Sequence, residues 1–222
     1  EYRAPQEGRR WSLLEEVSRR VSILFFLFSR IYMSPRMRML GREAGMIGLD
    51  YDSFVRRMGG VFTLATYTGL AVSPLLYAFI GRLAYPVLIG TAAFFLALPY
   101  LILYWRRMNR AGSLSRNLIL IMTYLASMKA VAETFTNMML NLKDNVRLAR
   151  LFGMEGEAKL YHKIYLAKGV ESVAAREYAD SIPEDYYRDT IRTMIDIEEN
   201  EGIGAVFRML VTRLRDFTGR YI

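Results

Sequence analysis

Residues Gly59–Trp105 read GGVFTLATYTGLAVSPLLYAFIGRLAYPVLIGTAAFFLALPYLILYW and contain one charged residue, Arg82. An apolar segment lies on either side of Arg82: Gly60–Ile80, with 21 residues, and Ala84–Trp105, with 22. A helix of about 20 apolar residues is long enough to cross the roughly 30 Å hydrocarbon core of a bilayer. Because only three residues separate the two segments, the sequence predicts a transmembrane helical hairpin.

Charged residues are concentrated outside this predicted hairpin. The first 59 residues hold eleven arginines against seven acidic residues, and the chain after Trp105 holds 18 basic and 15 acidic residues. Cytoplasmic flanks of membrane spans are enriched in arginine and lysine. The pattern therefore predicts a multi-pass protein of the cell (cytoplasmic) membrane, with both termini of this segment in the cytoplasm and Arg82 outside. The arginines that flank the hairpin are Arg56, Arg57, Arg106, Arg107 and Arg110.

The overall composition narrows the class of protein further. Hydrophobic residues make up 53% of the 222 residues, and the mean hydropathy is only +0.12. A transporter with most of its length in lipid would be more apolar, so we expect most of this chain to lie in water. The net charge of +8 is explained by the membrane flanks, and no basic stripe with interleaved aromatic residues indicates nucleic-acid binding. The absence of cysteine excludes disulfides and thiolate metal sites.

Three domains are predicted along the chain: cytoplasmic N-terminal helices in 1–58, the transmembrane hairpin in 59–106, and a cytoplasmic helical bundle in 107–222. The chain begins without an initiator methionine, so we expect it to be a piece of a longer protein. In the first domain, Ser12 and Glu15 are spaced as a helix capping box. The apolar run Val21–Met33 is too short to span a bilayer, and it forms either an interfacial helix or the buried seam of a cytoplasmic helix pair.

Helical periodicity dominates the bundle domain, which predicts an all-α fold of about six short helices. A linker is expected at 109–112, with a helix start at Ser113 or Ser115 and a further helix over 131–142. Gly169 is expected to end a helix, and Pro183 to open the next. The predicted buried stripes are Leu118, Ile121, Met122 and Leu125; Phe135, Met138, Met139 and Leu142; Leu160, Tyr161 and Ile164; Tyr187, Ile191, Met194 and Ile195; and Phe207, Leu210, Val211 and Leu214.

Catalytic chemistry is not indicated by any motif. His162 is the single histidine and is expected at the surface, which leaves no multi-histidine metal site. No phosphate-binding run of the form Gly-x-x-x-x-Gly-Lys-Ser/Thr occurs, so any nucleotide hydrolysis would belong to a partner. The acidic residues of 196–201 are interpreted as a solvated face, because their spacing on a helix splays them apart. We therefore expect no enzyme activity and no cofactor.

Lys143, Arg147 and Arg150 form the best candidate for a partner-binding patch. Their spacing of four and three residues is expected to project them from one helix face, with Val146, Leu148 and Ala149 turned toward the bundle. Arginine is suited to paired contacts with carboxylates of a partner. An equally consistent interpretation is a solvent-exposed face or a contact with lipid headgroups.

The order of these features resembles the F-domain family of type II secretion, and most closely its archaeal archaellum and type IV pilus branch. In that family a middle glycine precedes an alanine-rich helix, a proline opens the following helix, and a glycine-containing turn precedes the last helix. The stretch Leu40-Gly-Arg-Glu-Ala-Gly-Met with Tyr51-Asp-Ser-Phe54 resembles the family's lead-in to its first span. The residues that carry the resemblance in the bundle are Met122-Thr-Tyr-Leu-Ala-Ser, Ala132-Glu133, Leu140, Glu157, Ile164, Gly169-Val170, Ala174-Ala175, Ala179, Ile182-Pro183, Arg188, Ile191, Met194-Ile195, Glu201-Gly202 and Leu210.

This resemblance implies a membrane platform protein of a type IV pilus, archaellum or type II secretion assembly machine. Such a protein engages a cytoplasmic hexameric ATPase and passes its motion to pilin-like subunits in the membrane. Membrane lipid and a second copy of the chain, forming a homodimer, are the other expected partners. The alternative is a permease subunit of an ATP-driven transporter that contacts a nucleotide-binding partner, and a membrane-bound enzyme is a third hypothesis.

Overall fold

A computed structural model describes residues 23–131 and 133–221 of the chain. In these two ranges every regular element is helical and no β-strand occurs, so the predicted all-α class is confirmed. The predicted capping box of Ser12 and Glu15 lies outside the described residues. The helices are α1 (Ile23–Tyr32), α2 (Pro35–Glu43), α3 (Leu49–Ile80), α4 (Ala84–Ala130), α5 (Phe135–Asp144), α6 (Val146–Leu151), α7 (Glu155–Lys168), α8 (Glu171–Asp180), α9 (Asp185–Asn200) and α10 (Ile203–Tyr221), with a 3-10 helix, Gly81–Leu83, between α3 and α4.

The chain divides into two compact units. Among the described residues, the first unit comprises 23–41 and Met46–Trp105, and the second comprises Arg42–Gly45, 106–131 and 133–221. The short piece Arg42–Gly45 therefore belongs with the bundle rather than with the residues on either side of it. The domain boundaries at 58 and 106 that the sequence suggested stay predictions.

One continuous helical stretch, Leu49–Ala130, is long and apolar enough to cross a membrane, judged by its length and composition. It consists of α3, the 3-10 helix and α4. Its most apolar part has a mean hydropathy of 2.1, and only 11% of that part is buried. The core helix of a water-soluble protein would be largely covered by its neighbours, whereas most of this apolar surface is not.

Within the first unit, residues on either side of the 3-10 helix contact each other. A Cβ atom placed on Gly69 of α3 would lie 3.4 Å from Cδ2 of Leu88 in α4. The rings of Tyr77 and Tyr85, nearer to the 3-10 helix, have centroids 6.0 Å apart. Both helices also line one apolar cavity of about 200 Å³, whose walls are Ala65, Thr66, Gly69, Leu70, Leu88, Ile89, Thr91, Ala92 and Phe95.

The core of the second unit follows the apolar stripes that periodicity predicts. All predicted residues of the first four stripes are buried, including the α9 set of Tyr187, Ile191, Met194 and Ile195. Aromatic rings join these stripes in the centre, where Tyr161 and Tyr178 meet edge to face with centroids 5.7 Å apart. Between residues 133 and 221 the structure contains six helices, α5 to α10.

The predicted linker at 109–112 is wrong, because α4 continues without a break from Ala84 to Ala130. The expected helix start at Ser113 or Ser115 is wrong for the same reason. A single glycine costs a helix only about 1 kcal/mol relative to alanine. Here the ion pair between Arg110 and Glu157 holds this part of α4 against the bundle and offsets that cost.

Two other helix assignments differ from expectation. α5 begins at Phe135 rather than at 131, because the Thr134 hydroxyl accepts the backbone N–H of Asn137 (3.3 Å) and caps the helix. In α10 the buried residues are Val206 and Leu210, whereas Val211, predicted to be buried, is 43% exposed. The buried face of α10 is therefore rotated by part of a turn from the predicted stripe.

Helix ends that depend on turn chemistry were predicted more accurately. Gly169 follows α7 with φ +69°, the left-handed conformation expected of a glycine that ends a helix. α9 begins at Asp185, two residues after Pro183, and the Glu184 carboxylate caps it by accepting the backbone N–H of Tyr187 (2.5 Å). Both signals were present in the sequence.

Candidate functional site

The three basic residues predicted as a partner-binding patch do not lie on one helix. Lys143 belongs to α5, whereas Arg147 and Arg150 belong to α6. The break falls at Asn145, whose side-chain oxygen accepts the backbone N–H of Leu148 (3.1 Å) and thereby caps α6. The prediction that the three side chains project from a single helix face is therefore wrong, although their role in binding a partner stays a prediction.

The surroundings of these basic residues also differ from expectation. Of the residues expected to turn toward the bundle, Ala149 is buried, but Val146 is exposed. Arg150 pairs with Glu155, with Nε 2.8 Å from Oε2, and hydrogen bonds from Lys159 and Arg150 lower the pKa of Glu155 to about 2.

The other two residues of the predicted patch, Lys143 and Arg147, have different surroundings. Lys143 Nζ lies 3.0 Å from the carboxylate of the adjacent Asp144. Arg147 has an exposed side chain. Of the three, Arg147 is thus the best placed to meet another molecule.

Two acidic residues that follow Asp196, Glu198 and Glu199, pair with cations on other helices. Glu198 on α9 contacts the buried Lys129 at the end of α4, with Nζ 2.5 Å from Oε2. Glu199 pairs with Arg176 of α8. In the part of the chain that the structure describes, no three His, Cys, Asp or Glu side chains form a group suited to a metal ion. His162 is half-buried on α7.

The most connected polar group of the second unit is a buried pair, Arg110 on α4 and Glu157 on α7. Their contact is bidentate: Nε donates to Oε1 (2.7 Å) and Nη2 donates to Oε2 (2.6 Å). Both side chains are about nine-tenths buried. This geometry matches the planar guanidinium to the planar carboxylate and gives the strongest kind of side-chain hydrogen bond.

Arg110 also donates hydrogen bonds to backbone carbonyls of two segments that are distant in the sequence. Its Nη1 donates to the carbonyl of Ser181 (2.6 Å), and to those of Glu43 (3.1 Å) and Arg42 (3.2 Å) at the end of α2. These carbonyls lie at helix ends, where the last turn leaves acceptors without an intrahelical partner. Together with the Glu157 carboxylate, these carbonyls make three separate parts of the sequence whose acceptors are satisfied by the Arg110 side chain.

Two tyrosines complete this Arg110–Glu157 cluster. Tyr178 donates its hydroxyl to Oε2 of Glu157 (3.0 Å), whereas the buried hydroxyl of Tyr187 interacts with the neutral Tyr178 side chain without reaching good hydrogen-bond geometry. Burial, together with the charge of Glu157, holds the pKa of Tyr178 well above its usual value. Burial likewise raises the pKa of Tyr187 above its ordinary range. Both phenols are therefore neutral at physiological pH.

The arrangement indicates a structural role rather than acid–base chemistry. The N–H groups of Arg110 are directed at protein acceptors, and Glu157 accepts from Arg110 and Tyr178. A cleft of about 330 Å³ opens beside the pair and is lined by both residues together with Gly45, Gly153 and Gly156. The two charged residues that line this cleft, Arg110 and Glu157, are paired with each other, so neither is available to bind a charged ligand.

Sequence reasoning missed this cluster. Arg110 was counted with the arginines that flank the membrane, because a basic residue soon after an apolar span fits that pattern. Glu157 was noted only as part of the family resemblance. The 46 residues between them carry no spacing that would reveal the contact, which depends on the packing of α4 against α7.

Comparison with known proteins adds no relative. No protein-family model, no curated protein and no solved structure matches this chain. The resemblance to the F-domain family therefore stays a prediction, and the functional argument depends on the molecule's own surfaces and contacts.

Proposed function

We propose that this protein is a membrane platform subunit of an F-domain type, in which a transmembrane hairpin carries a cytoplasmic helical bundle. The bundle receives force from a cytoplasmic secretion or pilus-assembly ATPase and passes it to pilin-like subunits in the membrane. The observation that carries the proposal is the long apolar stretch of α3 and α4, of which only 11% is buried at its most apolar part. An apolar surface of that length, left uncovered by the protein, is suited to lipid.

The contacts between α3 and α4 support a hairpin over a single straight helix. In one straight helix Gly69 and Leu88 would lie about 28 Å apart, at 1.5 Å per residue. A side chain on Gly69 would instead reach within 3.4 Å of Leu88. The glycine with φ +58° at residue 81 allows the chain to turn there.

Exposed arginines support the cytoplasmic placement of both flanks. Arg107 and Arg110 are engaged by Glu43 and Glu157, so their positions are explained by the bundle itself. The remaining three arginines of the flanks are exposed. They keep the excess of positive charge that is typical of the cytoplasmic flanks of membrane spans. These residues are Arg56, Arg57 and Arg106.

The bundle is suited to a mechanical role. Its described polar clusters consist of ion pairs and hydrogen bonds between helices, such as Arg110–Glu157 and Lys129–Glu198. Such contacts between residues distant in sequence hold the helices in one arrangement, which a force-receiving scaffold requires. Arg147, exposed on α6, is the first candidate for contact with carboxylates of the ATPase.

Membrane topology is tested with single cysteines, since the chain has none of its own. Arg82→Cys and Ser115→Cys occupy exposed positions, one in the 3-10 helix and one on the bundle part of α4. An impermeant thiol reagent applied to whole cells is expected to label position 82 and to spare position 115. Labelling of position 115 alone would reject the proposed orientation.

The partner is tested by purifying the whole chain in mild detergent from its own cells and identifying bound proteins by mass spectrometry. We expect a hexameric secretion ATPase to co-purify, and Arg147→Glu to reduce its recovery. Arg208→Glu, a reversal at an exposed arginine of α10, is the matched control and is expected to retain it. Recovery of a transporter's nucleotide-binding subunit instead would favour the permease alternative.

A further inference from the structure

The short helix α1 has two apolar faces, and protein covers one of them. Its sequence, ILFFLFSRIY, contains only Ser29 and Arg30 as polar interruptions apart from the terminal tyrosine. Phe28 and Tyr32 are almost completely buried, at 1% and 4% exposure. A helix with apolar residues around its whole circumference requires an apolar environment on the second face as well.

The buried face of α1 packs against the first half of α3. The rings of Phe28 and Phe62 stack with centroids 5.5 Å apart. Gly59 allows the close approach, because a Cβ there would lie 2.8 Å from the Phe25 ring. Phe25 and Phe28 thus meet Gly59 and Phe62, and the carbonyl of Tyr32 accepts the hydroxyl of Tyr51 at 2.6 Å, so α1 lies against the first half of α3.

A second contact ties α1 to α4. The hydroxyl of Tyr32 donates to the backbone carbonyl of Leu96. Leu96 lies within the second proposed span, nine residues before Trp105, and Phe62 lies within the first turn of the first proposed span. α1 therefore contacts the first turn of the first proposed span and a residue nine positions inside the end of the second.

The opposite face of α1 is exposed and apolar. Phe26 is 63% exposed, and Leu27 and Ile31 are each 49% exposed. Arg30, also exposed, lies one helical turn after Phe26 and Leu27.

We propose that Phe26, Leu27 and Ile31 insert into the membrane, at the boundary between the acyl chains and the headgroups, and that Arg30 contacts anionic headgroups. This proposal rests on the proposed transmembrane hairpin and adds a third membrane-contacting helix to it. The lipid occupant is favoured by continuity, because α1 contacts the same two helices whose apolar surface is proposed to face lipid. An interfacial helix of this kind buries its apolar face about 5–10 Å into the boundary region.

The size of the surface argues against a second protein as the occupant. A stable contact between two proteins buries about 600 Å² or more on each side. Three half-exposed side chains on a ten-residue helix do not supply that area. A bilayer requires no minimum patch on this helix, because the adjoining spans anchor the protein already.

The test uses the whole chain, reconstituted in nanodiscs that contain anionic lipid, with single cysteines carrying a nitroxide spin label. Phe26→Cys, Leu27→Cys and Ile31→Cys replace exposed side chains and leave the packed face unchanged. Leu75→Cys and Val87→Cys sample exposed positions of the proposed spans, and Leu151→Cys and Leu166→Cys sample exposed positions of the bundle. Power-saturation measurements compare the accessibility of each label to oxygen, which enters lipid, and to a water-soluble nickel chelate.

We expect the ratio of oxygen to chelate accessibility at positions 26, 27 and 31 to be several-fold higher than at 151 and 166. Ratios at 26, 27 and 31 that match position 151, with lipid-like ratios at 75 and 87, would reject the α1 proposal and leave the hairpin intact. Water-like ratios at 75 and 87 would reject both. Labels at 26, 27 and 31 that are shielded from oxygen and chelate alike would indicate a protein occupant and would also overturn the proposal.

Discussion

Arg110 and Glu157, 47 residues apart in the chain, form a bidentate ion pair with Nε–Oε1 and Nη2–Oε2 distances of 2.7 and 2.6 Å. The pair is about nine-tenths buried and joins α4 to α7. Through its second amino group, Arg110 also satisfies the carbonyl of Ser181. A basic residue that a reading of the sequence assigns to the membrane surface is thus the centre of the bundle's polar network.

Removing one partner of this pair is expected to destabilise the protein strongly. Arg110→Ala leaves the Glu157 carboxylate buried without its cation, and the loss of one partner from a buried pair costs about 3–5 kcal/mol. Thermal unfolding of the detergent-solubilised chain is the measurement. Arg116→Ala, at an exposed arginine on the same helix, is the control and is expected to change stability by no more than about 0.5 kcal/mol. Equal melting of the two variants would contradict a central role for the pair.

The two buried tyrosines of the cluster are expected to differ in how strongly the loss of a hydroxyl destabilises the fold. Tyr178→Phe removes a hydrogen bond to a charged carboxylate, which costs about 1.5–3 kcal/mol. Tyr187→Phe removes a buried hydroxyl that interacts only weakly with the neutral Tyr178 side chain, so it is expected to cost at most about 1 kcal/mol. The two changes delete the same atom from fully buried rings, so each serves as the control for the other in thermal melting. Destabilisation by Tyr187→Phe as large as that by Tyr178→Phe would be evidence of an additional partner for Tyr187.

The raised pKa values of Tyr178 and Tyr187 predict a loss of stability in alkali. An unfolded tyrosine ionises near pH 10, whereas these two keep their protons in the folded state. Above about pH 10 the folded state therefore binds more protons than the unfolded state, and its stability falls as the pH rises. Melting temperature measured against pH is the test, and Tyr187→Phe is expected to make the decline shallower. An unchanged decline in that variant would mean that Tyr187 ionises normally in the folded protein.

The contrast between predicted and missed features has a physical cause. The stripe of Tyr187, Ile191 and Met194 was predicted because helical periodicity is local and burial follows it directly. The Arg110–Glu157 pair was missed because an ion pair between distant segments has no periodic signature. The break at Asn145 was missed for a different reason: an asparagine inside a run of helix formers becomes a cap only when its side chain turns back to a backbone N–H.

The continuous helix through 109–112 is a second case in which contacts between distant residues overrule a prediction from local sequence. Local composition favoured a linker, since Asn and Gly are weak helix formers. The contacts of Arg107 with Glu43 and of Arg110 with Glu157 are tertiary, and they outweigh that weak preference. The apolar length of the segments around Arg82 was the most informative local signal, because a bilayer sets a length that few soluble helices share.

The last prediction concerns two glycines that line the same cleft. Gly153 has φ +66°, and a Cβ there would lie 2.1 Å from the side-chain nitrogen of Asn117. Gly156 lies in α7, where a Cβ would meet nothing within 4 Å. Gly153→Ala is therefore expected to destabilise the bundle by at least about 1–3 kcal/mol, since it combines backbone strain with a steric clash. Gly156→Ala is expected to stabilise it by up to about 1 kcal/mol, because alanine favours the helix.

Thermal unfolding of both glycine variants beside the unmodified chain separates these effects. The two substitutions add the same methyl group, three residues apart in sequence, so a difference in sign cannot come from composition or from a change in the unfolded chain. A Gly153→Ala variant with Asn117→Ala added is expected to recover part of the loss, since the clash with the Asn117 side chain is relieved while the strain at φ +66° remains. Full recovery in the double variant would mean that the clash alone accounts for the loss. No recovery would mean that the left-handed backbone at residue 153 alone fixes the turn between α6 and α7.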